Sequence, residues 1–414
     1  MEFHLSAKNV DAQLEALAAC TVEEITYICK EIGPRPCGEA GETAAQEYLF
    51  GKLAPYADRV ARETYKVHPE AFMAFVPVAG SLLLGATALN LVSAFKKKAA
   101  ALGSLGLIGG AAVTIAEEFG MYHEFLDRFF KEKTSGNVVG VRKASGETKR
   151  RVIVSGHTDS APEWTFTYKL GSHGVVTVAA YALAGLAYTT VTSVLSLVMK
   201  NRALVKKLAL GQAVFVPAYG LLFRFTNNKR YVPGANDDLT GTLTAFSVLK
   251  YLADNDIRFE NTEVIALLAG GEEAGLRGSK AFFKAHPEYA NDGVETVFLG
   301  FDTIRDAEYM MIYNKDMTGF VKNDDRVASL LASCAADMGL DVPIGAIPLG
   351  STDAAAASQA GIPAASFVAM DPAPARYYHT RLDTAEILEP GTIKQGIELA
   401  LRAVFRFDEQ GLNG

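Results

Sequence analysis

Cysteine is scarce in this chain, and its placement excludes two roles. Cys20, Cys29, Cys37 and Cys334 lack the paired spacing of a zinc ribbon. With no secretory leader in view they read as free thiols rather than a disulfide framework. Basic runs of the kind that track nucleic acid are also missing. The net charge is −7 and the pI about 5.6, so no nucleic-acid partner is expected. Met1 to Lys8 shows no basic stretch followed by an apolar core, so it is not read as a targeting leader. Internal repeats and low-complexity tracts are absent as well. What the chain does have is apolar content: hydrophobic residues make up 49% of the 414 and mean hydropathy is +0.12. That excess must be located.

It lies in two blocks. Ala71 to Phe95 carries no charge, Lys96-Lys97-Lys98 interrupts, and Ala99 to Ala116 is again uncharged. Gly174 to Met199 forms a second uncharged run, followed by a basic loop (Lys200, Arg202, Lys206, Lys207) and a shorter apolar run, Leu208 to Phe223. A helix crosses a bilayer in about 20 apolar residues. The pattern predicts two apolar helical hairpins, over residues 71–116 and 171–225. Pro77 and Pro217 are kink sites, Gly106 and Gly110 form a GxxxG pair, and Gly103 and Gly109 add small residues for close helix contact. A soluble lid or dimerisation module is the alternative, but buried soluble helices rarely stay uncharged so long. The expectation is therefore a multi-pass, membrane-associated protein, with the hairpins also offering a surface for oligomerisation. Orientation stays open. Basic hairpin tips point to cytoplasmic tips, whereas the lack of a leader points to a cytoplasmic catalytic part.

The rest of the chain reads as globular. A helical pattern over residues 9–32 ends at the rigid turn Gly33-Pro34-Arg35-Pro36-Cys37-Gly38. A helix from Thr43 to Leu53 and strands at Arg59–Val67, Asn137–Val141 and Arg151–Ser155 follow. From Tyr231 onward strands and helices alternate, the mark of an α/β domain with a largely parallel sheet. The expected domain is discontinuous, over residues 1–70, 117–170 and 226–414.

Its centre is Val264-Ile-Ala-Leu-Leu-Ala-Gly-Gly-Glu272-Glu273. A run apolar on both faces reads as a central parallel strand, and ligands bind beyond the carboxyl ends of such strands. Two adjacent acids there can divide labour, one holding a cation and the other moving a proton. Further candidates stand at similar positions: His157 and Asp159 after a strand, Asp237 and Asp238 in a tight turn before a helix, Asp302 at a strand end, and His379 in Tyr378-His-Thr-Arg-Leu-Asp383-Thr. Imidazoles with carboxylates form a donor set suited to zinc, with manganese or cobalt also accepted. His173 and His286 lie outside these motifs and read as surface or interface residues, and Asp383 reads as a turn or cap acid.

The ordered set His157-x-Asp159, Asn236-Asp237-Asp238, Glu272-Glu273, Asp302 and His379-Thr-x-x-Asp383-Thr resembles the M28 family of zinc aminopeptidases. Ile32-Gly-Pro-Arg-Pro-Cys-Gly38, Ser351-Thr-Asp353 and Ala360-Gly-Ile-Pro363 extend the likeness. The resemblance implies a mixed sheet sandwiched by helices, and a di-zinc exopeptidase acting on peptides with a free N-terminus. It implies Asp237 shared between two ions, His157 and Asp302 on one, and Glu273 and His379 on the other. Glu272 would be the general base that takes a proton from the attacking water. Asp159 would orient His157, Asp238 would stay outside the ligand set, and the 237–238 peptide would be cis. Thr158 and Thr240 depart from the family's aromatic and serine. Two rivals share this fold: a glutaminyl cyclase, disfavoured by the five-residue ligand set, and a non-catalytic membrane scaffold, disfavoured because no ligand is missing.

Overall fold

The structure, a computed structural model, describes residues 10–95, 98–171, 173–373 and 375–412. Met1 to Lys8 and the Lys96-Lys97 pair lie outside the described residues. The chain divides into two compact units. One is made of Met1–Pro69, Glu132–Pro162 and Tyr231–Gly414, the other of Glu70–Lys131 and Glu163–Arg230.

In chain order, α1 (Val10–Tyr27) and α2 (Ala40–Leu53) lead into β1 (Arg59–Val67). Helices α3 (Phe75–Ser93) and α4 (Lys98–Ile115) follow, then β2 (Lys133–Arg142) and β3 (Arg150–His157). Strand β4 (Pro162–Trp164) precedes α5 (Thr165–Leu170), α6 (His173–Val198), α7 (Arg202–Gly211), α8 (Val216–Leu222) and β5 (Thr226–Tyr231). Next come α9 (Leu239–Asp254), β6 (Thr262–Ala269), α10 (Arg277–Ala285), β7 (Glu295–Ile304), β8 (Met310–Asp316) and β9 (Val321–Lys322). The chain closes with α11 (Asp325–Asp337), β10 (Ile344–Ala346), α12 (Asp353–Gln359), β11 (Ala364–Ala369) and α13 (Pro390–Gln410).

The first unit is built on a nine-stranded sheet ordered β1-β2-β6-β3-β7-β11-β8-β10, with β9 paired to β8. Strands β6, β3, β7 and β11 run parallel; β2 at one side and β8 with β10 at the other run against them, and β1 pairs antiparallel with β2. The expected mixed, largely parallel sheet between helices is therefore present. Strand β6 is apolar from Val264 to Ala269, where both its faces are covered. Val264, Ala266 and Leu268 pack with α1, α9, α11 and α13. Ile265 and Leu267 pack on the other face with Phe282 and Phe283 of α10 and Ala354 and Ala357 of α12. The start of α9 sits directly on β3 and β7. A Cβ on Gly156 would lie 2.2 Å from the backbone of Gly241, and one on Gly241 would lie 1.9 Å from the Phe301 carbonyl oxygen. Glycine at both positions brings the turn before α9 onto the strand ends.

The second unit is helical. Three spans, Phe72–Ser93, Lys98–Gly120 and His173–Val198, are long and apolar enough to cross a membrane. The fourth apolar run is not one helix: α7 gives way to a 3₁₀ turn, Gln212–Phe215, before α8. Pro217 in the first turn of α8 has no backbone N–H to continue the ladder. The two hairpins pack together, with Ala79, Leu83 and Ala86 of α3 against Ile108 and Ala111 of α4 and Tyr219 of α8. A buried polar chain runs through this packing. Asn90 donates to the Thr189 carbonyl and to Gln212 Oε1, each at 3.0 Å. Ser193 donates to Asn90 Oδ1 at 3.0 Å and lies 2.9 Å from Ser104 Oγ. The expected glycine contacts are partly corrected. Gly103 and Gly110, two turns apart on one face of α4, meet Leu89 and Leu82, whereas Gly106 and Gly109 face open space. Tighter approaches fall at Gly185 against Tyr219, Gly211 against Tyr188 and Gly174 against Phe166.

Candidate metal centre

Parallel strands bring their carboxyl ends to one edge, and the candidate residues converge there. His157 is the last residue of β3, and Asp302 lies near the end of β7. Glu272 and Glu273 follow β6 after Gly270 and Gly271, the latter at φ +61. Asp237 and Asp238 stand before α9, joined by a cis peptide. His379 comes from the loop after β11 and sits at φ +52, an uncommon conformation outside glycine.

One carboxylate stands between the two imidazoles. Asp237 Oδ1 is 3.2 Å from His157 Nε2, and Asp237 Oδ2 is 2.9 Å from His379 Nε2. Glu273 Oε1 is 3.2 Å from the same His379 nitrogen, and Glu272 Oε2 is 3.8 Å from His157 Nε2. Donor atoms of His157, Asp237 and Glu273 lie within 4.8 Å of one another, as do those of His157, Asp238 and Asp302. Two donors on one tetrahedral zinc sit about 3.3 Å apart, each roughly 2.0–2.1 Å from the ion. Asp237 Oδ2 and Glu273 Oε1 are buried and converge on the one His379 nitrogen, with no other polar partner within hydrogen-bond reach among the described residues. The donor set and its unsatisfied oxygens fit divalent zinc. Asp238 is otherwise engaged: its Oδ2 accepts from His157 N at 2.9 Å, and its Oδ1 from Gly241 N and Thr303 N at 2.9 and 3.1 Å. It fastens the turn to β3 and β7.

Electrostatics point the same way. Burial, reinforced by the charge of Asp237, pushes Asp302 up to about 7. Burial also raises Glu272 well above the usual carboxylate range, with His157 opposing and Glu273 adding to the rise. Burial disfavours the charged imidazoles too, yet Asp159 and Asp237 outweigh it at His157, and Glu273 and Asp237 push His379 up to about 10. Clustered acids that strain to stay ionised, around histidines drawn toward the cation, describe a pocket short of positive charge.

Several residues beside the candidate ligands brace the site. Asp159 faces His157 Nδ1 at 3.3 Å, and its two oxygens also accept from Glu272 N and Glu273 N at 3.0 and 3.2 Å. Asp383 is fully buried and accepts from Asn236 N and Asp237 N at 2.8 and 3.0 Å, so its turn reaches across to hold the aspartate loop. Thr240 keeps the hydroxyl role despite its extra methyl, donating to the Asn236 carbonyl at 2.7 Å and accepting from Ile304 N at 3.0 Å. Thr158 donates to the Ala269 carbonyl at 3.0 Å, tying β3 to β6. Tyr378 stacks on the His379 ring with centroids 3.9 Å apart. His286 pairs with Glu63 at 3.0 Å, and His173 opens α6 in the helical unit, so neither joins the cluster.

Arg35 is the deepest brace. Its guanidinium is fully buried and donates to the carbonyls of Thr158 (2.7 Å), Gly234 (2.7 Å), Gly33 (3.3 Å) and Pro233. It joins the N-terminal turn to the segments leading from His157 and toward Asp237. Arg35→Met strands several buried carbonyls at about 1–3 kcal/mol each. A loss of roughly 3 kcal/mol or more is expected, read as a drop of several degrees in the thermal midpoint. An unchanged midpoint would mean water satisfies those carbonyls.

Comparison with known proteins agrees with this geometry. Residues 221–404 match the model of Peptidase family M28. No curated protein matches in sequence. Among solved structures, an aminopeptidase from Aneurinibacillus sp. strain AM-1 is similar with a TM-score of 0.56 at 16% identity, over 96% of this chain and 95% of that one. BSAP, a zinc aminopeptidase from Bacillus subtilis, gives 0.54 at 14%, over 94% and 95%. A glutaminyl cyclase from Fimbriiglobus ruber gives 0.55 at 13%, over 94% of each chain. At such identities these likenesses establish the fold. The match to peptidase family M28 spans Asp237, Glu272, Glu273, Asp302 and His379, so the segment that carries most of the candidate ligands is similar to that family.

Proposed function

We propose that this protein is a di-zinc aminopeptidase anchored in a membrane by its helical unit. The observation that carries the catalytic reading is Asp237, whose two oxygens each face one imidazole Nε2. That placement supports a carboxylate shared by two ions, with His157 and Asp302 completing one ligand set and Glu273 and His379 the other. Bound zinc supplies Lewis acidity at the scissile carbonyl and acidifies water. Glu272, next to the ligand Glu273 and 12% exposed, takes the proton from the attacking water and returns it to the leaving amine. Asp159 holds His157 from behind and fixes the backbone of both glutamates, which keeps base and ligands in register.

The surplus of carboxylates supports recognition of an ammonium group, hence action at a free N-terminus. A peptide and its N-acetylated twin test this. Release of the first residue from the free peptide alone is expected, and equal cleavage of both would count against exopeptidase action. The fold likeness to glutaminyl cyclases defines a second reading, in which the α-amine of an N-terminal glutamine attacks its own side-chain amide and expels ammonia. A glutamine-initiated peptide separates the two, since the aminopeptidase shortens it and the cyclase leaves its length unchanged.

Membrane anchoring rests on the three apolar spans, of whose hydrophobic windows 39%, 28% and 33% is buried within the protein. Large apolar side chains such as Leu102, Leu183, Val191 and Val214 remain 54–63% exposed. A soluble protein rarely leaves so much contiguous apolar surface in water. Resistance to extraction by alkaline carbonate is the expected result.

A further inference from the structure

We propose that the loop end of the helical unit is a binding surface for anionic phospholipid headgroups. The proposal rests on the membrane reading above and adds which lipid the unit selects. Its basis is an unbalanced charge distribution. The sequence contains no Asp or Glu from Ala71 to Ala116, nor from Trp164 to Asn236. The basic residues of those segments therefore have no local acid to pair with. Five described ones, Lys98, Lys200, Arg202, Lys206 and Lys207, gather where α3 turns into α4 and α6 into α7. The two turns form one surface: Ala94 after α3 packs with Val205 and Ala209 of α7, and Lys206 Nζ lies 5.8 Å from the centre of the Phe95 ring. Among the described residues none of the five makes a salt bridge. Lys98, Lys200, Lys206 and Lys207 are exposed, and Arg202 is half-buried, donating to the Ser196 carbonyl at 3.1 Å.

Helix dipoles do not neutralise this patch. Helices α3 and α6 bring their negative ends to it and α4 and α7 their positive ends, so the contributions cancel in pairs. The apolar surroundings fit a headgroup boundary rather than a soluble anion. Phe95 and Val198 are 70% and 69% exposed beside the lysines, Leu102 is 59% exposed one turn along α4, and Leu204 and Leu210 project from α7. Side chains that seat apolar stems among acyl chains while presenting ammonium groups at their edge match an anionic leaflet.

The test uses the full chain reconstituted into vesicles of phosphatidylcholine with one quarter phosphatidylglycerol. It is then re-extracted in mild detergent, and the co-purifying lipids are counted by mass spectrometry. Wild-type protein is expected to enrich phosphatidylglycerol over the bulk ratio by at least about fivefold, the gain from one basic side chain at an anionic surface. The combined variant Lys200→Ser, Arg202→Ser, Lys206→Ser and Lys207→Ser should fall to the bulk ratio. A charge-keeping variant (Lys200→Arg, Lys206→Arg, Lys207→Arg) should retain the enrichment, which separates lost charge from lost folding. Lys229→Ser with Arg230→Ser, away from these turns, should leave it unchanged. Bulk lipid ratio in the wild type, or enrichment lost only with Lys229 and Arg230, overturns the proposal while leaving the membrane anchor standing. Failure of the wild type to enter these vesicles, or vesicles of phosphatidylcholine alone, overturns both.

Discussion

Glu272→Gln is expected to lower turnover by ~10²–10⁴-fold while metal content stays at the wild-type level. The amide keeps the size and the polarity of the side chain but cannot accept the proton of an attacking water. Glu272 Oε2 stands 3.8 Å from His157 Nε2, close enough to serve the centre, while Glu273 beside it faces His379. Its backbone N–H is held by Asp159, so the substitution should not loosen the turn. Turnover on an aminoacyl substrate and metal analysis of the same preparation are the paired measurements. A variant with near-normal turnover would move the base to another residue. One that lost metal in step with activity would make Glu272 a ligand.

Asp237→Ala should produce the other large effect, collapse of metal binding. Changes to groups that merely support a ligand cost about 10–100-fold in affinity. Removal of a carboxylate facing both imidazoles should therefore exceed ~10²-fold and take activity with it. Added zinc should not rescue the variant, whereas wild-type protein stripped with a chelator should recover on zinc addition. The fold should persist, because Asp238 rather than Asp237 fastens the loop to Gly241, Thr303 and His157. Full zinc stoichiometry in Asp237→Ala would remove the shared carboxylate from the scheme.

Much of the site could be read from the sequence because its parts are local. Glu272 and Glu273 follow a strand whose two-sided burial shows as an unbroken apolar run, and His157, Asp237 and Asp302 each stand at a comparable junction. What escaped is the bracing, which depends on closure across the chain. Asp383 grips the backbone of Asp237 from 146 positions away, and Arg35 reaches carbonyls as far as 199 positions away. In the sequence both are ordinary turn residues. The edge strands β9 and β10 escaped for another reason. They are two and three residues long, too short for alternation to register. In the helical unit Pro217 marked a bend, but the break at Gln212 needs its pairing with Asn90, 122 positions earlier.

That pairing bears on how the insertions are inherited. Asn90 and Ser104 belong to the first hairpin, and Thr189, Ser193 and Gln212 to the second, yet their hydrogen bonds form one buried chain. Losing either hairpin would leave buried polar groups of the other without partners, at about 1–3 kcal/mol for each unmet bond. Although Glu132–Pro162 of the sheet-bearing unit lies between them in the chain, the two insertions form a single helical unit. Deleting one hairpin should therefore destabilise the helices of the other, whereas deleting both removes the polar chain as a unit.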